Sequence, residues 1–339
     1  MKMDKIKDLL REYEKKFGKE SLFVAEELRT SKEEVISTGI LSLDLALGIG
    51  GLPVGKIYEI YGQESSGKTT LSLIIASQFQ KHGKTVAFLD AENSFDVSWA
   101  ETLGIDTKSF FVADVDSLED AFKKIEFFMK NGVDFVILDS IAAPPTVSQV
   151  NADFTDSMMG VKARVISMAL SKLMPIIRKS KSSLLFVNQI REKMVAYGNP
   201  EVTPGGRALK FFASIRMSTR KKLIEDEDEI FVGDEITVKI EKNKFAPPMK
   251  KAKFLLYYDG FYTIDYVDLL TKLDLITKSG AWYVENFTGN NMRFHGKQKI
   301  LEEIKQNPDF KKLVDQIITQ KINSLNIVED ASSEDDGEE

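Results

Sequence analysis

The sequence predicts an α/β fold in which a mostly parallel central sheet is built around a phosphate-binding loop, with an N-terminal helical arm and a small C-terminal α/β domain. Three observations carry this expectation. From Gly39 onward, short apolar runs alternate with segments of helical periodicity, the order that lays strands side by side and packs helices on their faces. One run, Ile57 to Tyr61, opens into Gly62-Gln63-Glu64-Ser65-Ser66-Gly67-Lys68-Thr69 and then into a helix-like run from Thr70 to Phe79. At 339 residues, 43% of them hydrophobic, the chain has ample material for a large core.

Composition narrows the chemistry before any motif is weighed. The chain has no cysteine, which excludes disulfides, thiolate catalysis and cysteine-based zinc sites. Its two histidines, His82 and His295, are too few for a multi-histidine metal centre. No apolar run reaches the roughly 18 residues of a membrane span and the N-terminus has no signal core, so a soluble cytoplasmic protein is expected. The net charge of −6 is unevenly placed: seven acidic residues and no Lys or Arg follow Val328, leaving a body of about +1.

Taken in order, residues 3–17 read as an amphipathic helix with Ile6, Leu9, Leu10, Tyr13 and Phe17 on one face, closed by Gly18. Residues 1–34 form an arm whose apolar face docks either on its own domain or on a neighbouring subunit. Residues 35–260 form the core, with strands expected at Ile57–Tyr61, Thr85–Asp90, Phe110–Val112, Phe135–Asp139 and Ser183–Asn188. In the glycine-rich loop, backbone N–H groups unobstructed by a Cβ wrap a triphosphate, Lys68 reaches its β/γ phosphates and Thr69 holds Mg²⁺. Asp139, ending an apolar strand, suits the magnesium shell. Glu92 and Gln189 follow two further strand ends on the same sheet edge. Glu92 fits either a general base or a helix-capping acid, and Gln189 either a γ-phosphate contact or a solvated amide.

Two long connections flank this region, Ala142–Met159 and Ile190–Pro204, the second carrying Arg191, Lys193, Tyr197 and Gly198 and leading into Gly205-Gly206. Loops of that length tend to be functional or disordered; a nucleic-acid surface and a mobile lid both fit their composition. Farther on, Ile236–Ile240 and Ala252–Tyr258 alternate as strands around Lys242-Asn243-Lys244. Residues 261–327 hold helical patterns at Val267–Leu275, Lys297–Gln306 and Phe310–Ile322, with Gly280-Ala281-Trp282-Tyr283 turning into a short strand. From Lys239 to Ile327 there are 15 Lys/Arg against 10 Asp/Glu, a mildly basic end. Residues 328–339 read as an acidic disordered tail.

Placed in order, these residues resemble the bacterial RecA recombinase family over nearly the whole chain. The resemblance rests on Thr38-Gly39 with Leu43-Asp44, Leu47-Gly48-Ile49-Gly50-Gly51-Leu52-Pro53, Glu59-Ile60-Tyr61-Gly62, the phosphate loop through Thr70, Asp90-Ala91-Glu92, Asp139-Ser140 and Asn188-Gln189-Ile190-Arg191. It continues through Gly198-Asn199-Pro200-Glu201, Thr203-Pro204-Gly205-Gly206-Arg207-Ala208-Leu209-Lys210-Phe211, Lys242-Asn243-Lys244 and Gly280-Ala281-Trp282-Tyr283. It implies a RecA-type ATPase core and a recombinase that uses ATP and Mg²⁺, forms helical filaments on single-stranded DNA and exchanges strands with double-stranded DNA. It assigns water activation to Glu92, γ-phosphate sensing to Gln189, and adenine contact to Asp96 and Trp99, where the family usually has Tyr for Trp99. Lys242 and Lys244 are implied to act on a neighbour's ATP, and Phe211 to link the nucleotide to DNA. The two long loops become DNA-binding loops, with Met158, Met159, Arg164, Arg191, Lys193, Tyr197, Gly198, Asn199, Gly205, Gly206 and Arg207 as contacts. Single-strand-binding proteins, mediators and a repressor for co-protease cleavage are further candidate partners. The sequence departs from the usual pattern at Gln63, Asn93 and Val97, in a first loop poor in glycine, and in a second loop one residue short. A ring-forming RecA-like helicase or packaging motor would share only Lys68, Glu92 and Asp139, and a nucleotide-switched DNA scaffold would not need an intact Glu92.

Overall fold

The computed structural model describes residues 2–18, 22, 34–153, 160–192, 201–225, 231–260, 262–264 and 266–333. It divides into two units, Met1–Val35 and Ile36–Glu339. The first contains α1 (Lys2–Phe17). Its apolar residues recur every three or four positions and so share a face. Leu9 and Phe17 are exposed there, and the rings of Tyr13 and Phe17 lie 4.6 Å apart. Gly18, at φ 92°, ends the helix and donates its N–H to the Glu14 carbonyl.

In the second unit, nine strands among the described residues form one sheet. They are β1 (Ile57–Gly62), β2 (Val86–Asp90), β3 (Phe110–Asp114), β4 (Phe135–Asp139), β5 (Ser183–Gln189), β6 (Ile215–Glu225), β7 (Phe231–Asn243), β8 (Lys251–Tyr257) and β9 (Tyr262–Thr263). Their spatial order is β9-β8-β7-β6-β1-β5-β4-β2-β3. The run from β6 to β3 is parallel, and β7, β8 and β9 extend it antiparallel. The five parallel strands expected from sequence are all present. The strand β6 is an addition: its outer half carries Arg220, Lys221 and Lys222, whose charges hide the alternation that Ile215, Met217 and Thr219 begin.

Helices follow the sequence order as α2 (Leu41–Leu47), α3 (Lys68–Lys81), α4 (Val97–Thr102), α5 (Leu118–Lys130), α6 (Val161–Ser180) and α7 (Ala208–Phe212). Successive side chains of a strand point to opposite faces, so each buried strand feeds two cores. Tyr58, Ile60, Leu185 and Val187 join Leu71, Ile74 and Phe79 of α3 on one face. On the other face, Ile57, Leu184 and Phe186 join Phe122 and Ile125 of α5 and Leu170 and Leu173 of α6. Ser117 caps α5 by accepting from the Asp120 N–H at 3.1 Å.

The C-terminal part adds β10 (Ile276–Ser279), β11 (Trp282–Glu285) and β12 (Arg293–His295) as an antiparallel sheet, with α8 (Tyr266–Lys272), α9 (Gly296–Gln306) and α10 (Pro308–Ser333). Leu270, Tyr283, Ile300, Phe310 and Val314 bury into the same apolar cluster as Ile236, Val238 and Phe254. The last helix continues past Ile322 and Val328 to Ser333, into the stretch expected to lack structure. Once nucleated, a helix extends at little cost. No helix among the described residues is long and apolar enough to cross a membrane.

Candidate nucleotide site and the bases of the long loops

The phosphate loop joins the end of β1 to the start of α3, and its glycines are required by contact as well as conformation. A Cβ on Gly67, which sits at φ 83°, would lie 2.5 Å from Ile236 Cδ1. One on Gly62 would meet Ser66 Oγ at 2.4 Å and Thr219 Oγ1 at 2.5 Å. Ser66 is buried and its hydroxyl is 2.8 Å from that of Thr219, which pins the loop to β6. Gln63, Glu64 and Ser65 are exposed, and Lys68 donates from Nζ to the Gln63 carbonyl at 2.7 Å. Burial lowers the Lys68 pKa, against the opposing pull of Asp139, Glu92 and Glu64. A buried ammonium at a helix N-terminus is an anion site waiting for a stronger acceptor than a carbonyl.

Thr69 donates its hydroxyl to Asp139 Oδ2 at 2.5 Å, so the two oxygens expected to share a cation are already in contact. Asp139 is buried, and desolvation raises its pKa from 3.8 to about 6, helped by the nearby charges of Glu92 and Asp90. A cation would reverse that shift. Among the described residues no cluster of three or more acidic or histidine side chains is suited to a metal. One carboxylate and one hydroxyl instead fit Mg²⁺, which keeps several waters and binds largely through substrate phosphates.

Glu92 is exposed at the same sheet edge. Its Oε1 accepts from Ser140 Oγ at 2.5 Å and from Gln189 Nε2 at 3.0 Å, which unites the ends of β2, β4 and β5. Asp90 holds the intervening turn by accepting from the N–H groups of Glu92 at 3.2 Å and Phe95 at 2.8 Å. The Asp139–Ser140 peptide is cis. Asp96 caps α4 by accepting from the Trp99 N–H, and the Trp99 indole N–H reaches Thr70 Oγ1 at 3.4 Å. The two residues matched to adenine contact therefore stand beside the phosphate loop.

The loop positions divide. Met158, Met159, Lys193, Tyr197, Gly198 and Asn199 lie outside the described residues. At the base of the second loop, Arg191 pairs with Val202 and Glu192 with Glu201 in a short antiparallel ladder. The turn after it packs on the start of α6: Cβ atoms on Gly205 and Gly206 would stand 2.7 Å from Ile166 and 2.9 Å from Ala163. Arg164 and Arg207 are both exposed near this junction, so the exits of the two loops meet.

Phe211 is 75% exposed on α7. Lys242 donates from Nζ to the carbonyls of Lys210 at 2.8 Å and Phe211 at 3.0 Å, which caps that helix, whereas Lys244 is exposed. Burial lowers the Lys242 pKa, as do Lys244 and Arg216. Three residues of this region have no role assigned by sequence, Glu59, Asn188 and Arg216, although Glu59 and Asn188 stand in motifs that carry the resemblance. Glu59 had a signal, an acid in the middle of the apolar strand Ile57-Tyr58-Glu59-Ile60-Tyr61. Also unforeseen is a cleft of about 400 Å³ beside the second loop, where Lys210, Arg216, Arg220, Lys239 and Lys251 outnumber Glu241. Such an excess of cations in a concavity attracts phosphate.

The RecA N-terminal domain family matches residues 4–262. Protein RecA of Francisella philomiragia is 44% identical over 308 residues, 89% of this chain and 84% of that protein. Protein RecA of Clostridium novyi is 41% identical over 327 residues, covering 95% and 92%. Protein RecA of Thermus thermophilus is 40% identical over 340 residues, covering 98% of each. A shared phosphate loop alone would align a small part of the chain, whereas these relatives align with 89–98% of it. The chain therefore belongs to the RecA family of recombinases, DNA-dependent ATPases.

Proposed function

We propose that this chain assembles as a helical filament on single-stranded DNA, with ATP and Mg²⁺ at each subunit boundary, and pairs the bound strand with homologous duplex DNA in cytoplasmic recombinational repair. The observation that carries this reading is the convergence of Ser140 and Gln189 on one oxygen of Glu92, beside Lys68, Thr69 and Asp139. Glu92 keeps a carboxylate oxygen for the proton of an attacking water, while Gln189 is placed to trade Glu92 for a γ-phosphate. The loop N–H groups, Lys68 and Thr70 orient the phosphates. Thr69 and Asp139 hold Mg²⁺, which when bound neutralises charge on the phosphates. Asp96 and Trp99 border the base, and Lys242 and Lys244 serve the site of the next subunit.

On the DNA side, Arg164, Arg191, Gly205, Gly206 and Arg207, with the loop positions beyond them, bind the single strand. Accessory single-strand-binding or mediator proteins and a repressor substrate would act on the filament. Electron microscopy with single-stranded DNA and a slowly hydrolysed ATP analogue, paired with an ATPase assay, tests the reading. Striated helical filaments and DNA-stimulated turnover are expected. Closed rings would support a motor, and filaments without turnover a nucleotide-switched scaffold.

A further inference from the structure

A row of polar side chains crosses the middle of the sheet, where apolar packing would be expected. Glu59 on β1 stands opposite Arg216 on β6, and Arg216 opposite Lys242 on β7; on the other side, Tyr61 of β1 stands opposite Asn188 of β5. Arg216 Nε donates to Glu59 Oε2 at 2.5 Å, and Asn188 Nδ2 donates to Glu59 Oε1 at 2.9 Å. The Glu59 side chain is fully buried and that of Arg216 is 11% exposed, with its guanidinium 4.6 Å from the centre of the Tyr61 ring. Both ends of the row hold the same segment of chain. Asn188 Nδ2 also reaches the Pro204 carbonyl at 3.3 Å, and Lys242 holds the carbonyls of Lys210 and Phe211. Asn188 Oδ1 in turn accepts from the Gln189 N–H at 2.9 Å.

We propose that Glu59 and Arg216 are positioning residues that couple the nucleotide edge to the segment leaving the second loop, Pro204 to Phe211. A buried ion pair is a weak source of stability, because an apolar pair of similar volume often holds a core as well or better. What an apolar pair cannot do is orient Asn188 and Lys242 together. Glu59 fixes the Asn188 amide, which fixes the backbone of Gln189 and the loop exit. Arg216 lies between Glu59 and Lys242, so a Lys242 drawn toward a neighbour's phosphate releases α7 and unbalances the charge that Glu59 offsets. The inference rests on the proposed function, in which Gln189 faces nucleotide and the loop exit faces DNA.

The test uses the full chain and compares wild type with a Glu59→Met/Arg216→Met double variant. Melting temperature, binding of a fluorescent ATP analogue, and ATPase rates with and without single-stranded DNA are measured. The double variant is expected to melt and to bind nucleotide like wild type, yet to lose DNA stimulation by about tenfold or more, the usual size of a coupling between sites. A folded double variant with wild-type stimulation overturns the proposal. If the double variant does not fold, Asn188→Ala decides: it removes only the amide contacts to Glu59, Pro204 and Gln189. Loss of stimulation with intact nucleotide binding supports the coupling, and unchanged stimulation overturns it. Absence of DNA stimulation in wild type would instead sink the proposed function itself, a result visible before any variant is made.

Discussion

Glu92 is exposed, yet one of its oxygens accepts from both Ser140 and Gln189, so the side chain is oriented without being desolvated. Glu92→Gln keeps size and leaves the phosphate cradle intact while removing the proton acceptor. Nucleotide binding and filament formation should persist and turnover should fall by about 10²–10⁴; radiolabelled ATP hydrolysis beside filament imaging checks this, and wild-type turnover would remove Glu92 as the base. Asp139 makes a prediction about pH. Its folded pKa is raised to about 6, so in nucleotide-free protein its contribution to stability is fully present below 3.8 and is lost as pH rises toward 6. Asp139→Asn should therefore stabilise the free protein above pH 6, by up to about 3 kcal/mol, with the gain vanishing near pH 4. Melting temperatures in chelator across that range test the sign. With Mg²⁺-nucleotide the order should reverse, because the variant has lost the carboxylate that the cation favours.

The junction of β1, the phosphate loop and α3 depends on a glycine that meets a distant strand. Gly67→Ala forces a Cβ to within 2.5 Å of Ile236 Cδ1 at a φ of 83°. It should cost about 1–3 kcal/mol by urea denaturation. Adding Ile236→Val should recover the clash but not the backbone strain; no change in either variant would mean that the loop yields freely. The end of β7 carries the second test. Lys242 and Lys244 stand where one caps α7 in its own chain and the other is exposed. If they complete a neighbour's site, protein with Lys242→Ala/Lys244→Ala mixed with Glu92→Gln protein should regain turnover at junctions that unite intact partners, since a cation supplied in trans contributes about 10³–10⁵ in rate. Mixed filaments with no recovery would place the lysines in their own subunit.

For the chain as a whole, charge is segregated: seven carboxylates follow Val328 and the preceding C-terminal part is mildly basic. If the acidic end competes with DNA phosphates for lysines, duplex should lose more than single strands, which also gain base stacking. Deleting residues 329–339 should strengthen duplex binding selectively, most at low salt, where the Debye length exceeds about 10 Å. Titrations of both DNA forms across a salt series read this, and an unmoved duplex curve would assign the tail another role. The family, the strand–loop–helix around Lys68 and the five parallel strands were legible in sequence, because glycine conformation, the period of buried strands and a phosphate loop are local properties that fix their own spacing. The sequence also marked Glu92, Asp139 and Gln189, since each follows an apolar strand. It did not mark β6, whose charged half is stabilised by pairing with β7, nor that Asn188, Glu59, Arg216 and Lys242 form one row across the sheet. Those four residues lie on four strands, with Asn188 and Arg216 standing 129 and 157 positions from Glu59 in sequence. Only the register of the folded sheet brings their charges close enough in a low dielectric to require one another.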